Sequence, residues 1–337
     1  MSPVTESEVV TAVRGFKAAI LAREASQMAH LADRYLQLEL SLEDTIAALS
    51  ESISTLKAEG KATYWSLNRL ASFQRYQLKM LTALDEYNAW AAENIREGQL
   101  QFAGLGADHA ASTLETVRRG ASVPLSVPQR ERILSMVGFA SDGSPLATLL
   151  AASGDIVRAQ VTQKLIRAVG MSQNPRVTAA EIRKATGMAL NRAMAIARTE
   201  QMRAYREATA AGYRAGGIQL MQRIAARDGN VCIACLSMDG EISTTDASVD
   251  DHVNGHCSSV PYLGRGQSEM EPSQQWFDRQ PEEMQRHIMG TPGRYDLYKS
   301  GEAQWSELGQ HTHDPVWGGS LQPVPVRDLA TAVRAVA

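Results

Sequence analysis

Apolar residues recur at helical spacing through the first part of the chain, as Val10, Val13, Phe16 and Ile20 and then as Leu31, Tyr35, Leu38 and Leu42. The pattern predicts helix over residues 4–58. Ser41-Leu42-Glu43-Asp44 is a plausible restart within it, because a Ser cap with an acid three residues on satisfies free amides. Gly60 marks the stop. Trp65, Leu67, Leu70, Phe73, Leu78, Leu81 and Leu84 then give a second helix over 63–95. Two such helices in succession predict an antiparallel hairpin or bundle.

Residues 120–146 break the pattern. GASVPLSVPQ and GFASDGSP concentrate Gly, Pro and Ser, with one short helix expected between them at QRERILSMV. DIVRAQVTQKLIRAVG reads as an amphipathic helix ended by Gly170. Thr178-Ala179-Ala180-Glu181 is a capping box for another, with Ile182, Ala185, Ala189, Ala193, Ile196 and Ala197 on its buried side and Gly216-Gly217 as its stop. IQLMQRIAA then reads as a strand. Asp239-Gly240, between CIACLSM and EISTT, reads as a hairpin turn. Residues 264–337 hold three of the five Trp and many Gly and Pro, with one helix expected at PEEMQRHIM. The predicted fold is mainly α with a smaller α+β C-terminal part. Its divisions are a helical region 1–120, a linker 121–146, a domain 147–263 and an α+β tail 264–337.

Composition and charge refine this. The 337 residues suffice for about two domains, and aromatic residues at 6% argue against an all-β sandwich. No apolar run is long enough to span a membrane, and MSPVTESEVVTAVRGF lacks the basic-then-apolar order of a secretory leader. The net charge of −3 hides three blocks. Residues 1–110 carry 10 Lys and Arg against 14 Asp and Glu, residues 111–230 carry 17 against 8, and residues 231–337 carry 7 against 15. A basic middle between acidic ends suggests contact with nucleic acid or an acidic partner, and equally allows the blocks to pair with each other.

Chemistry gathers at one place. The three cysteines, Cys232, Cys235 and Cys257, cannot close a disulfide framework and point to a reducing compartment. Cys232-Ile233-Ala234-Cys235 lets one turn aim two thiolates at one ion, and Asp251-His252-Val253-Asn254-Gly255-His256-Cys257 adds imidazole and a third thiolate. A Cys3His zinc site follows, with Cys232, Cys235, Cys257 and His252 as ligands. It has no open position, which is the structural rather than the catalytic pattern. His256 is the competing imidazole. Two alternatives stand beside zinc. One is a redox pair, which should lie between a strand and a helix, whereas here a DG turn follows; the other is a metal-free knuckle of buried thiols and a hydrogen-bonded His. A zinc deaminase would need an HxE segment upstream, and neither His30 nor His109 opens one. His311-Thr312-His313-Asp314 offers a weaker metal or nuclease motif. Arg198-Thr199-Glu200 puts charges inside an apolar helix, either as a solvated face or as a buried pair bracing the knuckle. There is no phosphate loop and no GxSxG, so an enzyme is not expected.

Taken in order, AMAIARTEQMRAYREATAAGY, ARDGNVCIACLSMDGEI and HVNGHCSSVP resemble the phage Mu F-like minor head proteins, also called phage head morphogenesis proteins. There an IARTE helix precedes a D-x(n)-C-x-x-C-x(n)-DG stretch, and an HPxxRC segment followed by Pro closes it. Arg198, Thr199, Glu200, Asp228, Cys232, Cys235, Asp239, Gly240, His252, Cys257 and Pro261 match; Val253 stands where Pro is usual and His256 where Arg is usual. The resemblance covers roughly residues 145–310 and makes 147–263 the head morphogenesis domain. It implies a minor capsid component, assembled in the infected bacterium's cytoplasm and carried in the virion. Such a component associates with the portal protein and other capsid components and acts in assembly or DNA delivery, without turnover chemistry of its own. The alternatives are a DNA-binding accessory factor using the basic middle block on phage DNA, and a C-terminal toxin or nuclease using His311, His313 and Asp314.

Overall fold

A computed structural model describes residues 6–61, 63, 69–118, 134–140, 143–170, 175–227, 231–247, 251–264, 271–314 and 318–329. Four long helices come first: α1 (Glu6–Ala58), α2 (Ala71–Arg118), α3 (Leu146–Gly170) and α4 (Pro175–Ala215). The mixed part follows as β1 (Leu220–Ile224), α5 (Ile233–Ser237), β2 (Ile242–Thr244), β3 (Ser258–Tyr262), α6 (Ser273–Asp278), α7 (Glu282–Met289), α8 (Pro292–Lys299), β4 (Gly309–Asp314) and β5 (Gly318–Pro323). A mainly helical N-terminal region thus precedes a mixed α+β C-terminal region, as the sequence predicts. The described residues form two compact units. One comprises Met1–Ala22, Gln99–Gly143 and Arg198–Ala337; the other comprises Arg23–Gly98 and Ser144–Ala197.

The second unit is built on an antiparallel helix pair. On α1, Leu31, Tyr35, Leu38, Leu42, Ile46, Leu49 and Ile53 are buried; on α2, so are Phe73, Tyr76, Met80, Leu84, Tyr87, Ala91 and Ile95. Steps of three and four keep each set on one stripe. Gln27 donates to Asn94 O at 2.8 Å and the rings of Tyr35 and Tyr87 meet edge to face at 5.5 Å, which fixes the antiparallel register. Helix α1 has no restart at Ser41, whose hydroxyl donates back to Leu38 O at 2.7 Å. It does stop at Gly60, where Lys61 N bonds Leu56 O and Gly60 N bonds Lys57 O. Leu78, expected inside, is 69% exposed, since five residues from Phe73 is about 140° around the helix. Trp65 and Leu67 lie outside the described residues. So do residues 121–133 of the expected linker, while Phe139 is held where its carbonyl accepts from Gln99 and Arg203.

The first unit explains why α2 runs on to Arg118 instead of ending near Ile95. Gly106 is a packing position, not a stop. A Cβ on Gly106 would lie 2.2 Å from the carbonyl oxygen of Tyr205, so only glycine lets α2 and α4 approach this closely. Thr209 Oγ1 donates to Gly106 O at 3.2 Å across the same contact. Helix α4 starts at Pro175, three residues before the expected capping box, with Thr178 inside its first turn. Ala185, Ala189, Ala193, Ile196 and Ala197 are buried as predicted, and α4 ends where Ile218 N bonds Tyr213 O and Gly217 N bonds Arg214 O. Strand β1 then pairs antiparallel with β2 (Gln222 opposite Ile242) and with β3 (Gln222 opposite Val260), giving the order β2-β1-β3. The segment CIACLSM is therefore not a hairpin arm. It forms the short helix α5, and β2 returns to β1. Strands β4 and β5 make a separate hairpin.

His109 on α2 is fully buried beside α4. Its ring stacks between Phe16 and Tyr205, Nδ1 meets Tyr205 Oη, and Nε2 lies 3.4 Å from Tyr213 Oη. Burial pushes its pKa down to about 4, so folding keeps the imidazole neutral. The unfolded chain binds that proton below about pH 6.5, so stability falls as pH drops from 6.5 towards 4, by about 3 kcal/mol in full. We predict that urea titrations across this range show the loss in the native chain and a smaller slope in His109→Gln. Gly106→Ala should lower stability by about 3 kcal/mol or more, as overpacking at a rigid backbone contact does, read as a drop in melting temperature.

Candidate metal centre

The CxxC pair sits where β1 hands over to α5. Cys232 is the N-cap of α5, with extended backbone (φ −94°, ψ 161°), and its Sγ accepts from Cys235 N at 3.4 Å. One helical turn thus aims both sulfurs the same way. Cys235 and Cys257 are buried within an apolar cluster that includes Ile233, Leu236, Phe277, Ile288 and Leu308. All three cysteines are free thiols. Cys257 lies at the start of β3, and the loop 251–257 before it carries the imidazole.

Ligand atoms of Cys232, Cys235 and His252 lie within 4.8 Å of one another, and so do those of Cys235, Asp251 and Cys257. The chain therefore builds a Cys/Cys/His cluster able to coordinate a metal ion. Cys235 is common to both groups. His252 Nδ1 lies 2.8 Å from Val253 O; a carbonyl only accepts, so Nδ1 carries a hydrogen, and Nε2 is the nitrogen that could face an ion once it gives up its proton. His256 belongs to neither group, and its side chain lines a cleft of about 500 Å3 with Val13, Lys17, Ile224 and Trp276. Without an ion the electrostatics favour a Cys232 thiolate beside a protonated His252, so an ion would bind by displacing the His252 and Cys235 protons. The hydrogen bond from Cys235, and then that from His252, hold the Cys232 thiol down at about 4, while the bond to Cys232, followed by that to Cys257 and burial, pushes the Cys235 thiol up. Burial would lower His252, but its contacts with Cys232 and Asp251 bring it to about 9.

Asp251, which sequence reasoning left as part of the His-Cys segment, is the hub of the loop. Its Oδ1 accepts from His252 N at 2.9 Å and meets Cys235 Sγ at 3.5 Å; its Oδ2 accepts from Cys257 N at 3.3 Å and from Arg206. Burial would raise its pKa, but the charges of Arg206, His252 and Arg223 outweigh that and hold it below the usual carboxylate range. A Cβ on Gly255 would lie 2.3 Å from the Asp251 carboxylate, so the loop closes on this carboxylate only with glycine there. Arg206 on α4 clasps the same loop at two more points, donating Nε to Cys257 O at 2.9 Å and Nη2 to Gly255 O at 2.7 Å. Thr199 adds a fourth tie, its Oγ1 accepting from Asn254 N at 3.2 Å.

The Arg198-Thr199-Glu200 motif thus reaches the knuckle through Thr199. Glu200 is fully buried and pairs with Arg203 at 2.7 Å. Sequence reasoning missed Arg206, which in MRAYREATAA stands between Arg203 and Glu207 with nothing to single it out. Asp239 holds the turn before β2, accepting Ala225 N at 2.8 Å and both Nε and Nη2 of Arg227. Asp228 lies outside the described residues. The objection to a redox pair, that the motif does not open a helix, does not hold, because Cys232 caps α5. What distinguishes this CxxC is the imidazole and third thiol beside it. His311 lies far along the chain on β4, with Nε2 2.9 Å from Glu241, and the described donor groups include none of His311, His313 and Asp314.

Compared with protein-family models, with curated proteins and with solved structures, the chain matches none. Among the described residues no helix is long and apolar enough to cross a membrane.

Because Cys235 serves both donor groups, Cys235→Ser should abolish metal binding and leave poorly soluble or partly folded protein. A structural ion of this kind supplies on the order of 10 kcal/mol to folding. Elemental analysis of freshly purified, reduced protein should find one ion per chain, and finding none would remove the centre.

Proposed function

We propose that the chain is a phage minor head protein of the Mu F-like kind, associated with the portal during head assembly and acting in assembly or DNA delivery. Its α+β part is closed by one structural zinc ion on Cys232, Cys235, His252 and Cys257. The observation that carries this reading is the convergence of the separated segments of the resemblance. The Arg198-Thr199-Glu200 helix meets the His252–Cys257 loop through Thr199 and Arg206, and that loop meets the CxxC pair. Thiolate donors with one imidazole favour zinc, and four protein ligands leave no position for substrate. The ion's work is therefore to fix a fold, and no turnover chemistry is assigned. Such a protein is made in the infected bacterium's reducing cytoplasm and ends in the virion.

The charge blocks support a protein-interaction role over a nucleic-acid one. Arg206 pairs with Asp251, Arg214 with Asp246, Arg223 with Glu241, and Arg227 with Asp239 and Glu271. Four cations of the basic middle are thereby spent on the acidic C-terminal block instead of facing phosphate. For the portal or capsid contact the long helices of the second unit offer apolar surface, with Leu36 and Leu40 exposed one turn apart on α1.

Co-expression with a portal protein from the same genome should give a complex of fixed stoichiometry on size exclusion, weakened by Leu36→Glu with Leu40→Glu. Separate elution of the two native chains at micromolar concentration would overturn the portal reading while leaving the metal centre standing.

A further inference from the structure

The metal centre is surrounded by more charge than its ligands explain. A divalent ion on three thiolates and a neutral imidazole leaves one negative charge, and Asp251 beside it adds a second. Both are enclosed, since Asp251, Cys235 and Cys257 are all buried. Two guanidiniums face them. Arg206, 6% exposed, reaches from α4 to the Asp251 carboxylate and to the carbonyls of Gly255 and Cys257. Arg223, 5% exposed on β1, stands in register opposite Ser259, two residues beyond Cys257, so its side chain shares that face and feels the charges of Cys257, Asp251, Cys235 and Glu241. Its Nε is 3.7 Å from Glu241 Oε2 at the outer end of this row.

Resting on the zinc reading above, we propose that Arg206 and Arg223 are the built-in counter-cations of the centre, and that Asp251 is a positioning carboxylate outside the ligand shell, so that two arginines balance the two net negative charges of the loaded pocket. Both oxygens of Asp251 are engaged by N–H donors that metal loading leaves in place: Oδ1 by His252 N, and Oδ2 by Cys257 N and Arg206. The second donor group is thus closed by a guanidinium, and its carboxylate serves to hold the loop that carries His252 and Cys257. The arginines come from two different elements, so the loaded centre draws α4 and β1 together over the loop. Their effect on the ion is electrostatic, through burial in a medium where an uncompensated charge is costly.

The test measures zinc affinity of the full chain by competition with a chromophoric chelator. The cobalt-substituted spectrum reports whether the thiolate ligand set is intact. Arg223→Met and Arg206→Met should each weaken zinc binding by about tenfold or more, as loss of an outer partner does, with the tetrahedral cobalt–thiolate spectrum retained. Arg223→Lys, which keeps the charge but not the fork, should recover most of the affinity; a purely packing role would not be rescued this way. If Arg206→Met fails to fold, the Arg223 pair decides. Folded Arg223→Met that binds zinc as tightly as the native chain overturns the counter-cation role while the zinc centre stands. A native chain that binds no metal overturns both.

Discussion

The grip of Arg206 on the loop from Asp251 to Cys257 is the interaction on which the rest of the α+β part depends. A long helix cannot bend toward a loop, so the loop must come to it. One guanidinium satisfies a buried carboxylate and two buried carbonyls at once. Without those bonds Asp251 would lose its direct ion pair in a buried setting, which is strongly destabilising. With them, the loop has one shape, and that shape presents His252 Nε2 and Cys257 Sγ towards the CxxC turn. Gly255 is part of the same constraint, because any side chain there would occupy the space of the carboxylate.

The helix that carries Arg206 is itself held by an unusually close helix–helix contact. Gly106 brings α2 against the backbone of Tyr205, and the next residue on α4 is Arg206. Tyr205, Thr209 and Tyr213 then tie α4 to α2 and to β3 through His109, Gly106 and Ser259. The centre is thus supported from behind by a buried polar layer. Charge follows the same logic, since arginines of α4 and β1 meet acids of the loops and turns that follow them. Four of the seventeen cations in the basic block are, in space, locally paired with acids of the C-terminal block.

Much of this was legible in advance where the physics is local. The α1 stripe, the stops at Gly60 and Gly217, the strand at β1 and the CxxC turn all follow from spacing or backbone chemistry within a few residues. Errors arose where a local signal met a tertiary competitor. Ser41 and Thr178 have the chemistry of caps, but packing carries the helix through one and starts it before the other. Gly106 of α2 has the chemistry of an interruption and serves as a contact point. The helical turn at CIACLSM carries no helical period in the sequence, because its apolar residues are buried on several sides by the core around Phe277 and Leu308.

The sequence by itself determined which donors the site has, because ligand type and the CxxC turn are properties of a short stretch. It also determined that the chain begins with long amphipathic helices, because their stripes repeat at the helical period. Only the tertiary structure decided that His252, not His256, joins the thiols, and that Asp251 with Arg206 holds them in place. Those roles depend on which groups meet across forty-five residues of intervening chain, and nothing in the spacing of either partner records that meeting.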